Sequence, residues 1–333
     1  MTSHTVQDRL PSTGVVARSL RRAGLLPGNA RVSGLEDGGL AGSGLVGQVR
    51  RLLVSYTGDS GASPESLVLK TPLPQMAEGE ALAAVERRFY ELGLAGEAAV
   101  AVPRVLHCDD GSLLMEDLGR EGFVRQSDGY TRDEAVRAVQ EIAKLHGYFR
   151  GRALDRNAWL RPPVDSPVAT FCRRELQSWD GEWPRVLGVV PGLLSTRFDD
   201  VATMLDTEDR TVAHGDFHSQ NVHMGRHGCT LIDFQFVQHA SGMLDVARLL
   251  ATSLTVEARR DVETEILAAY EAASGTAIDV VALRAGFLWS FAAPLALHLV
   301  AMKAQGRNWP DRLPILERCL AAADDWDALS VLT

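Results

Sequence analysis

The sequence predicts an α+β chain in which a small β-rich first third precedes a larger, mainly helical remainder. Three observations carry this: glycine-rich turn chemistry between short apolar runs up to about residue 120, a capping-box helix start near residue 131, and helical periodicity almost to the end. With 333 residues, 46% of them hydrophobic, the chain is long enough to bury a sizeable core.

Residues 15–27 read as a short amphipathic helix ending near Pro27. A glycine cluster and β-prone residues follow over 35–56, then the turn "TGDSGASPE", then the strand "SLVLK" at 66–70, which together read as an antiparallel meander. Leu82, Val85, Phe89 and Leu92 recur at helical spacing and predict a helix over 76–94. "AVAVPRVLH" and "SLLMEDLG" are the next strand candidates. Thr131 and Glu134 then form a capping box that opens a helix over 132–149. Short strands return at "TLIDF" and around Val222, and the chain after Asp245 reads as helical. The division falls at 117/118, giving an N-terminal segment of residues 1–117 and a C-terminal segment of residues 118–333.

Composition narrows the function classes. The net charge of −9 lacks any acidic run and argues against nonspecific nucleic-acid binding. Four widely spaced cysteines fit reduced thiols in the cytoplasm better than a disulfide frame or a zinc site. No secretory signal opens the chain. The most apolar segment, Phe287 to Met302, reads as a buried helix too short to span a bilayer, so no membrane partner is expected. A monomer or homodimer is expected.

Gly42, Gly44 and Gly47 fit G-x-G-x-x-G, with a strand rather than a helix after them, which places them at a hairpin tip able to fold over nucleotide phosphates. Only Lys70, Lys144 and Lys303 among 34 basic residues are lysines, so Lys70 in an apolar strand asks for a reason. An ammonium there can reach phosphates as a point charge, and Glu86 on the following helix is the carboxylate placed to hold it.

"HGDFHSQNVHMGRHGCTLIDFQF", His214 to Phe236, holds four of nine histidines and admits two readings. In one, His214, Asp216 and His218 ligate zinc in a zinc-dependent hydrolase, with His223, His227 and His239 as further ligands. In the other, Asp216 receives or orients an acceptor hydroxyl while Asn221 and Asp233 supply the hard oxygen ligands that Mg2+ takes in phosphoryl transfer. The order glycine loop, Lys, Glu, Asp, Asn, Asp favours the second.

These motifs resemble the phosphotransferase family of protein-kinase-like fold that includes aminoglycoside and choline kinases, and most closely its ecdysteroid-kinase-like branch. "HGDFHSQNV" resembles the catalytic loop, with His218 where protein kinases usually carry Lys. "LIDFQ" resembles the metal-binding segment, with Gln235 where they have Gly. "VERRFYELG", "LLMEDLG" and "SGMLDVARLLATSL" resemble the lysine-partner helix, the hinge and the helix after the metal aspartate. The complete glycine pattern is fuller than that branch usually shows.

The resemblance implies a bilobal fold with an antiparallel-sheet N-lobe carrying one helix and a helical C-lobe. It implies that Gly42, Gly44, Gly47 and Lys70 hold ATP phosphates, with GTP as an alternative nucleotide. Glu86 would orient Lys70, backbone groups of Glu116, Asp117 and Leu118 would bind adenine, and Asp216 would act as base. His214 and Asp245 would brace the loop. The expected activity is transfer of the γ-phosphate to a hydroxyl of a small metabolite or antibiotic; a kinase-like nucleotide-binding pseudoenzyme is the alternative. Only eleven residues separate Asp233 from Asp245 and no A-P-E follows, which disfavours a protein acceptor. The acceptor site is expected from 159–198 and 287–309, where Trp179, Trp183, Phe287, Trp289 and Phe291 could line it, and where Asp165, Asp180, Glu182, Asp199 and Asp200 could meet an ammonium.

Overall fold

The computed structural model describes residues 10–43, 47–72, 78–109, 112–152, 159–226, 228–305 and 313–332. The chain divides into two compact units, residues 1–87 with 103–119, and residues 88–102 with 120–333.

The first unit is built on a five-stranded antiparallel sheet of order β1-β2-β3-β5-β4. Its strands are β1 (Arg31–Ser43), β2 (Gly47–Thr57), β3 (Ser66–Pro72), β4 (Val105–Asp109) and β5 (Ser112–Glu116). Helix α1 (Thr13–Arg22) starts at Ser12, whose side chain caps Val15 N–H, and packs Val16 and Leu20 onto the sheet residues Leu52, Leu67, Leu69, Leu106 and Leu114. Helix α2 (Gly79–Glu91) follows β3. The strand expected over "AVAVPRVLH" is confined to its end: β4 begins only at Val105, after Pro103, which has no N–H to give a ladder.

The second unit is mainly helical, with α3 (Leu94–Glu97), α4 (Arg132–Phe149), α5 (Pro167–Gln177), α6 (Val190–Met204), α7 (Met243–Thr252), α8 (Val256–Ser274), α9 (Val280–Gln305) and α10 (Pro314–Asp325). The Thr131–Glu134 capping box opens α4: Thr131 N–H donates to Glu134 Oε2 at 2.8 Å, and Glu134 N–H donates back to Thr131 Oγ1 at 3.4 Å. Two short ribbons sit among the helices, β6 (Thr211–Ala213) with β9 (Gln238–Ala240), and β7 (Val222–Met224) with β8 (Cys229–Leu231). Residues 88–102 group with this unit because Phe89 stacks on Phe234 at 3.8 Å and Leu231 N–H donates to Ala101 O at 2.9 Å.

One expectation is corrected. The apolar helix is not short: Val280–Lys303 is 24 residues, long and apolar enough to cross a membrane, but 72% of its 18-residue apolar window is buried in the fold. It packs against α5, α6, α7 and α10, as a core helix does. The reading by length failed because α9 extends beyond both ends of its most apolar stretch. Among the described residues the cysteines form no disulfide.

Candidate active site

In the first unit, the register places Gly42, Val49, Lys70 and Leu113 in one row across β1, β2, β3 and β5. Lys70 therefore lies inside β3 rather than at its end. Its Nζ meets Glu86 Oε2 at 2.7 Å, and both side chains are largely shielded, Glu86 to 2% exposure. Gly47 faces Pro72, and a Cβ there would lie 3.1 Å from Thr71 O and 3.4 Å from Lys70 Cε. A side chain at this position would crowd the lysine stem, which explains glycine in β2. Gly44 lies outside the described residues.

β5 ends at Glu116. Asp117 accepts from Arg51 Nη2 at 3.0 Å, Ser66 Oγ at 2.8 Å and Gly119 N–H at 2.9 Å. Burial pushes this carboxyl up, but those hydrogen bonds outweigh it and hold the group below the usual carboxylate range. The side chain of Asp117 is thus a strut tying β2 and β3 to the segment after β5. Its carboxylate oxygens are engaged within the first unit.

In the second unit, β6 delivers the loop that begins at His214. Gly215 has φ +82°, and a Cβ on it would lie 2.1 Å from Phe236 O, so the turn requires glycine. Asp245, fully buried on α7, accepts from His214 N–H at 2.6 Å, Gly215 N–H at 2.8 Å and His146 Nε2 at 3.0 Å. The Nδ1 of His146 is 3.0 Å from Tyr270 OH. With Asp245 accepting at Nε2, the tyrosine donates at Nδ1. Burial, followed by the charge of Asp245, raises the Tyr270 phenol and keeps it protonated.

His214 Nε2 donates to Ile232 O at 2.8 Å, and its Nδ1 receives Asp216 N–H at 3.3 Å. Both ring nitrogens are thereby engaged. Asn221 Nδ2 donates to Asp216 O at 2.9 Å and to Oδ2 at 3.3 Å, and Asn221 O receives Ile232 N–H at 3.0 Å. Ile232 thus anchors the following Asp233 to both His214 and Asn221. Asp233 itself adopts a left-handed backbone, φ 68° and ψ 61°, a conformation that costs energy for a residue with a side chain and recurs at functional sites. Phe234 stacks on Phe89 and lies 4.6 Å from the His214 ring.

The Asp216 carboxylate is held on both sides. Arg248 Nη2 and Nε donate to Oδ1 at 2.8 and 3.1 Å, while His218 Nε2 approaches Oδ2 at 3.4 Å. Burial raises this group, but His218 first and Arg248 next overcome it and hold the carboxyl far below the ordinary range.

The second unit brings His214, Asp216, Asn221 and Asp233 together, and the first brings Lys70, Glu86 and Gly47 together. Sequence reasoning missed His146 and Arg248. Arg248 had a signal: it follows Asp245 by three residues and so shares its helix face.

Two other readings fail. With both His214 nitrogens engaged, and with no group of three His, Cys, Asp or Glu side chains arranged to hold a metal among the described residues, the zinc-hydrolase alternative falls. Phe287, Trp289 and Phe291 are core residues at 0–1% exposure, with Trp289 stacked on Phe198 at 5.1 Å, and they line no open acceptor pocket. Trp179 and Trp183 stay half-buried, 5.7 Å apart. Asp199 and Asp200 are paired with Arg173 and Arg197. His227 and Trp309 lie outside the described residues.

The sheet, the helical unit and the braced Asp216 loop define a kinase-like fold, and comparison with solved structures agrees. A choline kinase from Cryptosporidium parvum matches with TM-score 0.60 and 11% identity over 95% of this chain and 94% of its own. A putative aminoglycoside phosphotransferase from Ralstonia eutropha matches with TM-score 0.59 and 15% identity over 96% and 98%. A spectinomycin phosphotransferase in complex with ADP and spectinomycin matches with TM-score 0.54 and 12% identity over 96% and 100%. No curated protein matches the chain. The sequence pattern of the phosphotransferase enzyme family matches residues 50–284, and the chain belongs to that family.

Proposed function

We propose that the protein transfers the γ-phosphate of ATP to a hydroxyl group of a small molecule. The observation that carries this reading is the loop in which His214, Asp216 and Asn221 are hydrogen-bonded to one another and, through Ile232, to the Asp233 segment. In the first unit, Lys70, held by Glu86 and in the same sheet row as Gly42, meets the phosphates with a compact cation, and backbone N–H groups of Gly42 and Gly47 add to it. Backbone groups of 116–118 take the adenine.

Asp216 orients the acceptor hydroxyl and takes its proton as the new P–O bond forms and the bond to the ADP oxygen breaks. Its depressed basicity makes orientation the larger share of that task. Asn221 fits a magnesium site because its amide N–H groups are spent on Asp216, leaving the amide oxygen as the ligand atom, and Asp233 adds a carboxylate. Bound magnesium supplies neutralisation of the phosphate charge. Asp165, Asp180 and Glu182 of the helical insert are carboxylates that would meet a cationic acceptor. Placement on the ecdysteroid-kinase-like branch remains a reading of the sequence motifs.

The test is incubation with ATP, Mg2+ and a panel of amino alcohols, aminoglycosides, macrolides and steroid alcohols, read by mass spectrometry. A gain of one phosphoryl group on one acceptor is expected. Tight ATP binding with no transfer to any of them, or to compounds of a whole-cell extract, would favour the pseudoenzyme reading.

A further inference from the structure

Helix α9 carries Pro294 in its interior. Proline has no N–H, so the carbonyl four residues earlier, that of Ser290, loses its helical donor. Ser290 is fully buried, so this carbonyl needs another partner. It finds one from outside the helix: Arg248 Nη1 donates to Ser290 O at 3.1 Å, with the weaker Cys319 S–H at 3.3 Å. The same guanidinium holds Asp216 Oδ1 through Nη2 and Nε. Arg248 is 7% exposed, and Thr252 Oγ1 bonds its backbone carbonyl at 2.7 Å within α7.

We propose that Arg248 is a positioning residue whose guanidinium, seated on the Ser290 carbonyl that Pro294 frees, fixes Asp216 so that Oδ2 is the oxygen presented to the acceptor hydroxyl. The geometry supports the choice of oxygen. Two N–H groups of Arg248 converge on Oδ1 at 2.8 and 3.1 Å, whereas Oδ2 has only the longer approaches of Asn221 at 3.3 Å and His218 at 3.4 Å. Arginine is suited to the task because its rigid fork can hold two acceptors at once, which a lysine ammonium does with less directional control. An internal proline in a core helix, otherwise a local defect, becomes the means of anchoring the arginine. The inference rests on the phosphotransfer reading for its kinetic consequence, though not for its structural one.

The experiment compares wild type with Arg248→Met, Arg248→Lys, Pro294→Ala and Arg248→Met/Pro294→Ala. ADP release from Mg·ATP is measured with water as acceptor, and the crystal structure of each variant is solved. Arg248→Met is expected to lower kcat about 100-fold, as a misplacement of order 1 Å does, with KM for ATP within about twofold of wild type. Arg248→Lys should recover some of that loss. Pro294→Ala restores a competing N–H at Ser290 O and should lower kcat in the wild-type background but not in the Arg248→Met background. In the Arg248→Met crystal structure the Asp216 carboxylate should rotate away from its present hydrogen bonds.

An unmoved carboxylate in Arg248→Met overturns the proposal. So does a change in KM with kcat intact, or an effect of Pro294→Ala that is equal in both backgrounds. If wild type neither releases ADP nor phosphorylates any compound of the acceptor panel, the phosphotransfer reading fails instead, and the position of Asp216 in the crystal structures decides this inference alone.

Discussion

Replacing Asp245 by alanine removes the acceptor of three buried donors, the N–H groups of His214 and Gly215 and the Nε2–H of His146. Each buried donor left without a partner costs about 1–3 kcal/mol, so the three together amount to about 3–9 kcal/mol. Burying the Asp245 carboxylate itself costs desolvation, which its removal relieves, so the loss should fall in the lower half of that range, about 4 kcal/mol. That is a large share of the roughly 5–15 kcal/mol that holds a typical domain together. Asp245→Asn keeps one acceptor oxygen and should cost about half as much. All six tryptophans, from Trp159 to Trp326, fall in the second unit, so urea unfolding followed by tryptophan fluorescence reports that unit alone. An Asp245→Ala protein within about 1 kcal/mol of wild type would refute the claim that this carboxylate braces the loop.

Two further perturbations test the local geometry. Gly215→Ala forces a Cβ to within 2.1 Å of Phe236 O at φ +82°, so it should destabilise the second unit by more than about 2 kcal/mol and abolish turnover; fluorescence-monitored unfolding checks the first and ADP release the second. Asp117 has its folded pKa below the unfolded value of about 3.9, so its contribution to stability is present above that pH and is lost as pH falls through it toward the folded value. Asp117→Asn should therefore flatten the acid limb of the first unit's stability, read as hydrogen-exchange protection of β2, β3 and β5 corrected for intrinsic rates; an unchanged limb would contradict the strut assigned to Asp117.

Much of this architecture is legible from local signals. Alternation and turn residues predict the hairpins, Thr131 and Glu134 mark the start of α4, and the spacing of Asp216, Asn221 and Asp233 places the loop and the turn. What escapes is whatever depends on partners distant in sequence. His146 reaches Asp245 across 99 positions, and an isolated histidine on an apolar helix face gives no local sign of that. Arg248 grips Asp216 across 32 positions and Ser290 across 42, in a chain where arginine is too common to stand out. The aromatic residues of α9 look alike in the sequence whether they face a ligand or the core, and packing against α6 and α7 decides for the core. The strand foreseen before Pro103 failed because apolar β-branched composition alone does not make a ladder where the N–H groups have no neighbouring strand.

The central claim is that Asp216 presents the acceptor hydroxyl to the nucleotide phosphate. Its most direct test is single turnover of Asp216→Asn and Asp216→Ala against wild type, with Mg·ATP and the acceptor identified by mass gain, alongside calorimetric ATP binding to each variant. Phosphoryl transfer should fall by at least about 100-fold in both variants while ATP affinity stays within a few-fold of wild type. Transfer at the wild-type rate by Asp216→Ala would contradict the account.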